Sequence, residues 1–226
     1  MFSHIRAVTF DVAGTLLAPQ PSVGELYAAA LANFGGRAEP AEVQARFVRA
    51  FKQVNAGPRG GILNRSGWRE IVELTFEGLC PPEKLDALFD ELWESFARPA
   101  SWRLLPGVHT ILDRLKARGL KLGILSNNDE RLRRLLTALE LDGYFDTLVL
   151  SAEVGAGKPS PAMFATAQER LGESPEHLMH IGDTPHEDIA GALAAGWTAV
   201  QVGHRGELLP GAHRFDGLPE LADCLG

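Results

Sequence analysis

The chain has 226 residues, 45% of them hydrophobic, and a formal charge of -7, enough apolar material for one or two packed domains. The negative balance gives no net positive field to draw nucleic acid, and no apolar run reaches the ~18 residues that a membrane helix needs. Its two cysteines, Cys80 and Cys224, lie far apart and outside any C-x-x-C pair, which excludes a disulfide framework and a zinc knuckle.

Residues 5–10 are β-rich and alternating, and they run into Asp11-Val12-Ala13-Gly14-Thr15. This predicts a strand that feeds a tight glycine loop. Apolar residues at helical spacing then predict four helices, over 27–34, 41–54, 67–79 and 83–96. They are separated by Gly35-Gly36, Gly57-Pro58, Gly60-Gly61 and Pro81-Pro82. From Pro106 onward helix and strand alternate. Helices are expected over 108–118, 129–141, 160–171 and 189–195, and strands over 120–125, 147–151, 178–181 and 198–202. Strands alternating with helices imply a parallel sheet covered on both faces. The fold class expected is therefore α/β, with a Rossmann-like core over residues 1–16 and 101–226 and an inserted helical domain over 17–100. The Gly- and Pro-rich segment after Gly203 receives no assignment. The clustered Arg131, Arg133 and Arg134 are read as a solvated helix face. The start, MFSHIRAVTF, is too short and too early in charge for a signal peptide, so a cytoplasmic monomer or homodimer is expected, with no nucleic-acid or membrane partner.

In an open parallel sheet, ligands gather outside the carboxyl ends of the strands. Asp11 and Ser126 sit at predicted strand ends. Lys158 lies between a strand and a helix, and Asp183 ends a fourth strand with Asp188 five residues on. Their chemistry is coherent. A carboxylate can attack phosphorus. A lysine and a divalent cation can neutralise the charge that then accumulates. Hard Mg²⁺ takes carboxylate and carbonyl oxygens, and the amides near Ser126 and Asn127 can hold phosphate oxygens near a helix N-terminus. Ser126 also suits a helix N-cap, and Asp188 a cap of the last core helix. Thr15 is expected to brace its loop, with a hydrogen bond to Asp11 or to phosphate.

Phe10-Asp11-Val12-Ala13-Gly14-Thr15, Leu125-Ser126-Asn127, Gly157-Lys158-Pro159 and Ile181-Gly182-Asp183 through Asp188 resemble, in order, the four motifs of haloacid-dehalogenase-like hydrolases. The resemblance implies Asp11 as nucleophile, Lys158 as its catalytic partner, and Ser126, Asn127 and Lys158 as phosphate ligands. It implies a Mg²⁺ site built from Asp11, the Ala13 carbonyl, Asp183 and Asp188, the last as ligand or as a partner just outside the ligand set. The helical insert resembles the family's cap domain, and a small phosphorylated substrate is implied.

Position 13 departs from that pattern. The family's phosphatases carry a second aspartate there, which protonates the leaving group and later activates water, and this chain has Ala13. The chain resembles a branch that lacks this aspartate. Loss of a general acid/base costs ~10²–10⁴ in rate. Three readings follow. A hydrolase could take its acid/base from elsewhere or use a good leaving group; His186 and Glu187 are near, but are read as an exposed loop pair. A phosphonoacetaldehyde-hydrolase-like reaction would use Lys52 as a Schiff base, although Lys52 is read first as a helix-surface lysine. The third reading is a non-catalytic member that binds a phosphorylated ligand or a protein partner. Haloacid dehalogenases carry Tyr at position 13 and need no metal, which the Gly182-Asp183 to Asp188 motif disfavours. In the insert, Trp68, Phe76, Phe89, Trp93 and Phe96 are read as its own core, while Asn55, Arg59 and Arg65 are candidates to meet an anionic substrate.

Overall fold

The computed structural model describes residues 2–57 and 62–225. Six parallel strands form one sheet: β1 (Ala7–Phe10), β4 (Lys121–Ser126), β5 (Thr147–Leu150), β6 (Leu178–Gly182), β7 (Thr198–Val202) and β8 (His213–Phe215). Their order is β5-β4-β1-β6-β7-β8. The strand nearest the N-terminus is thus central, with β4 and β6 hydrogen-bonded on either side. The chain winds outward one way from β1, then crosses back to wind outward the other way, which opens a crevice at the carboxyl ends where the direction reverses. Two more strands, β2 (Leu17–Pro19) and β3 (Trp102–Leu104), pair antiparallel beside the sheet.

Both sheet faces are buried, so the central strands are largely apolar, with Thr9 of β1 and His180 of β6 as buried polar exceptions. One face places Val8, Phe10, Ile124 and Ile181 against α5 (Val108–Ala117), α6 (Arg131–Ala138) and α10 (Leu218–Cys224). The other places Ala7, Leu125, Leu178 and Ala199 against α8 (Pro161–Leu171) and α9 (Gly191–Ala194). A single helical turn, α7 (Ser151–Val154), follows β5.

Four helices separate β2 from β3: α1 (Val23–Asn33), α2 (Pro40–Asn55), α3 (Arg65–Phe76) and α4 (Leu85–Ser95). Ser22 and Glu25 close a capping box at the start of α1, and Asn64 caps α3. These helices surround a cluster of their own that includes Tyr27, Phe76, Phe89 and Trp93, with Trp68 and Phe96 packed against it. The five aromatics expected to build the insert's core do so. Among the described residues no helix is long and apolar enough to cross a membrane.

Two local expectations are corrected, and one unassigned segment gains structure. The helix expected over 129–141 begins only at Arg131, because Asn127 to Glu130 form the turn that leaves β4. The helix expected over 189–195 is a π-helical turn, Pro185–Ala190, joined to α9. The segment after Gly203 is ordered: β8 extends the sheet beside β7, and α10 packs on α5. Leu218, Leu221 and Ala222 of α10 are buried in the main core, and Arg114 of α5 donates to Ala222 O. Truncating a buried leucine removes burial and leaves a cavity, so Leu221→Ala should lower unfolding free energy by ~2–5 kcal/mol in a denaturant titration. An unchanged midpoint would show that α10 is dispensable to the core.

Candidate active site at the carboxyl edge of the sheet

The topology brings Asp11, Ser126, Lys158, Asp183 and Asp188 to one edge. Asp11 leaves β1 with its amide bonded to Ile181 O of β6 at 2.9 Å. Ser126 ends β4 and donates from Oγ to Asp11 Oδ1 at 3.0 Å. Lys158 Nζ donates to the same Oδ1 at 2.8 Å and to Asp188 Oδ1 at 2.5 Å. Asp11 Oδ1 therefore takes both donors, while Oδ2 takes no hydrogen bond among the described residues. The Lys158 side chain is 1% exposed and so is that of Asp188. Burial acts against the ammonium, but the charges of Asp11 and Asp188 outweigh it and hold Lys158 above the ordinary lysine range. Burial likewise opposes the Asp188 charge; Lys158 and His180 overcome it and hold the carboxyl below the usual carboxylate range.

Two glycines make this approach possible. A Cβ on Gly182 would collide with the Asp188 side chain, and a Cβ on Gly14, whose φ is +96°, would collide with the Asp183 carboxylate. Asp183 is buried, accepts from Thr184 Oγ1 at 3.2 Å and pairs with Arg205 at 2.8 Å. Its pKa is pushed up to about 6, first by burial and then by the nearby Asp11 charge, with Arg205 opposing. Oxygens of Asp11, Asp183 and Asp188 lie within 4.8 Å of one another, a set of hard donors whose mutual repulsion a divalent cation would relieve. Asp188 has the least to spare, because Oδ1 is shared by Lys158 and His180 and Oδ2 accepts from Thr184 N at 2.9 Å.

Other expected roles shift. The Asn127 carboxamide grips the Lys158 backbone, accepting from its N–H at 2.6 Å and donating to its carbonyl at 3.1 Å. The Asn127 side chain is thereby occupied. Ser126 does not cap a helix, since α6 starts five residues later. Asp188 lies inside the π-helical turn and accepts from Thr184 N rather than capping α9. Thr15 is buried, yet its hydroxyl has no hydrogen-bond partner among the described residues, so of the two bonds expected of it, to Asp11 or to phosphate, the one to Asp11 is not made. Ala13 is exposed beside Asp11. His186 is exposed as expected, but Glu187 is half-buried, and burial pushes its pKa up to about 7 against the pull of Lys158. Lys52 is exposed on α2. Arg65 pairs with Asp90 at 2.6 Å and lies 4.9 Å from the Trp93 ring centre. The Asn55 side-chain oxygen is buried without a partner among the described residues. Arg59 lies outside the described residues.

Four functional neighbours were not anticipated. Arg131 is buried rather than solvated. It forms a forked pair with Asp129 at 2.7 and 2.6 Å, donates to Trp93 O at 3.1 Å and stacks 3.5 Å from the Trp93 ring centre. A desolvated cation on an aromatic face contributes ~2 kcal/mol, so Arg131 ties the turn after Ser126 to α4. Arg205 reaches Asp183 from the β7–β8 loop, whose carbonyls Arg205 O and Gly206 O accept from Gln201 and Arg214. Thr9 and His180 lie beneath the edge. For them the available signal was a polar residue within each of two apolar strands.

A sequence profile described as haloacid dehalogenase-like hydrolase matches residues 5–196. The mouse (Mus musculus) haloacid dehalogenase-like hydrolase domain-containing protein 3 is 34% identical over 206 residues, covering 88% of this chain and 82% of that protein. A HAD phosphatase from Thermococcus onnurineus is similar in structure, with a TM-score of 0.72, 26% identity and 98% of each chain covered. A 2-haloacid dehalogenase from Pseudomonas syringae pv. Tomato is also similar, with a TM-score of 0.68, 26% identity and 98% of each chain covered.

Gly182→Ala should cost ~1–3 kcal/mol, because the added methyl must displace the Asp188 carboxylate. Equal stability of the two proteins in a denaturant titration would show that Asp188 can move freely.

Proposed function

The chain belongs to the haloacid dehalogenase-like hydrolase family, and from that premise we propose that it is a Mg²⁺-dependent phosphatase that transfers a phosphoryl group to Asp11 and then to water. The observation that carries this reading is the buried Lys158 bridge, which anchors Asp11 Oδ1 and leaves Oδ2 without a hydrogen bond among the described residues. Oδ2 attacks phosphorus, the bond to the leaving oxygen breaks, and an aspartyl phosphate forms. Water then attacks that phosphorus. The bond to Asp11 breaks, releasing orthophosphate and restoring the carboxylate. Lys158 and Ser126 orient Asp11, and a remaining N–H of Lys158 together with the Asn127 amide offers positive partners to the phosphoryl oxygens. Asp11, Asp183 and the Ala13 carbonyl would hold Mg²⁺, with Asp188 bracing the set. The ion supplies charge that offsets repulsion between the phosphoryl oxygens and Asp11.

Helices α1–α4 act in this reading as a cap over residues 17–100, tied to the turn after β4 by Arg131 and limiting access to small phosphorylated molecules. The dehalogenase reading is weaker, because three clustered carboxylates offer a cation site that halide displacement does not use.

Ala13 cannot protonate a leaving group. Acyl phosphates and aryl phosphates, whose oxygens depart as stable anions, should therefore turn over well ahead of alkyl phosphates. The test is orthophosphate release from such a panel with Mg²⁺, comparing wild type with Asp11→Asn. Release that vanishes in Asp11→Asn supports the reading. No release above that variant on any substrate would end it.

Ala13→Asp restores a carboxylic acid at an exposed position beside Asp11. Turnover of alkyl phosphates should rise by up to ~10²–10⁴, with a smaller gain for acyl phosphates. An equal effect on both classes would contradict the leaving-group argument. Mg²⁺ near 100 times its Kd should add ~2.7 kcal/mol to the stability of the wild type and much less to Asp183→Asn. An identical response of the two in a thermal melt would contradict metal binding at Asp183.

A further inference from the structure

Beneath the catalytic edge runs a buried polar chain that phosphoryl transfer, as described above, does not use. Thr9 of β1 and His180 of β6 are paired across the sheet register, and each is 0% exposed. They lie on the face otherwise occupied by Leu178, Phe164 and Trp197. An imidazole is unfavourable there unless both nitrogens are hydrogen-bonded, and both are. Nδ1 lies 2.8 Å from Thr9 Oγ1, and Nε2 lies 3.1 Å from Asp188 Oδ1. Asp188 is a carboxylate paired with Lys158 and can only accept, so Nε2 carries the hydrogen. The ring is also held sideways, with Phe164 edge-on at 5.8 Å and 86°. Phe164 in turn packs so closely on Gly191 that a Cβ there would collide with it.

We propose that His180 is a positioning residue for phosphoryl transfer, acting through Asp188 on Lys158. The Asp188 oxygen that receives Nε2–H is the one that receives the Lys158 ammonium. Sharing that oxygen fixes the Asp188 rotamer and with it the place of the Lys158 ammonium. The ammonium therefore stays spread between Asp188 and Asp11, at 2.5 and 2.8 Å. Lys158 has three N–H donors, so this arrangement leaves the third for a phosphoryl oxygen. Without the histidine donor, the Asp188 carboxylate is free to turn, and the Lys158 ammonium that follows it loses its fixed distance to Asp11. Thr9 completes the device by holding Nδ1, which sets the ring plane that aims Nε2 at Asp188.

The proposal rests on the phosphatase reading for its kinetic test, so that test is paired with one that needs no turnover. His180→Gln carries an N–H donor near the position of Nε2, whereas His180→Asn ends near Nδ1 and cannot reach Asp188. With an acyl phosphate and saturating Mg²⁺, His180→Asn should lose ~10- to 100-fold in kcat, as a small misplacement of a catalytic group does. KM should change little, and His180→Gln should recover most of the loss at the same melting temperature. Equal kcat in the two variants, or a loss that follows melting temperature alone, overturns the proposal. The second readout is the ¹⁵Nζ resonance of Lys158, which reports its hydrogen bonds directly. It should shift in His180→Asn and return in His180→Gln, and an unmoved resonance overturns the proposal even in a chain that releases no phosphate. Should His180→Asn fail to fold, Thr9→Val removes the hydroxyl at nearly constant shape. It should shift the same resonance in the same direction, and no shift would again overturn the proposal.

Discussion

One buried ammonium organises the carboxyl edge of the sheet. Asp11, Asp183 and Asp188 crowd their oxygens within 4.8 Å at the end of the sheet, where partial burial weakens screening and like charges repel. Lys158 answers two of the three by bonding Asp11 and Asp188 together. A buried ion pair is seldom a net source of stability, because desolvation consumes much of the attraction. Its presence here is better understood as geometric. It gives Asp11 one fixed oxygen and one free oxygen, and it leaves Asp183 short of positive charge except for Arg205.

The fold supplies that geometry through constraints far apart in the chain. Parallel strands β1, β4 and β6 end side by side, so Asp11, Ser126 and Asp183 converge without long loops. The Asn127 carboxamide holds both backbone groups of Lys158, which couples the loop after β4 to the loop before α8. Gly14 and Gly182 leave room for the Asp183 and Asp188 side chains. The forked Arg131–Asp129 pair and the Trp93 face then connect this edge to the helical layer. The helical layer and the turn after Ser126 are thereby joined by direct contacts.

Much of this was legible in the amino-acid order, for definite reasons. Short apolar runs alternating with amphipathic segments mark a parallel sheet, and chemistry-bearing residues at their ends mark its edge. The two-stranded β2–β3 ribbon was missed because three-residue strands show no alternation. β8 and α10 were missed because Gly206, Pro210 and Gly211 resemble a plain loop, although Phe215 and Leu221 are buried. The π-helical turn at Pro185–Ala190 was hidden by its proline, which reads as a breaker. Arg131 looked solvated because Arg133 and Arg134 share its segment and are exposed; its burial depends on Trp93, which is remote in sequence. The Thr9–His180 pair depends on strand register across 171 residues, information that no local pattern contains.

The central claim is that Lys158 holds Asp11 ready to accept a phosphoryl group. It is tested most directly by brief exposure to acetyl phosphate with Mg²⁺, an acid quench and mass spectrometry of the peptides. The account predicts one phosphoryl group on the peptide that carries Asp11, absent in Asp11→Asn and strongly reduced in Lys158→Met. A wild-type Asp11 peptide that never gains the phosphoryl group, or one that gains it equally in Lys158→Met, would contradict the account.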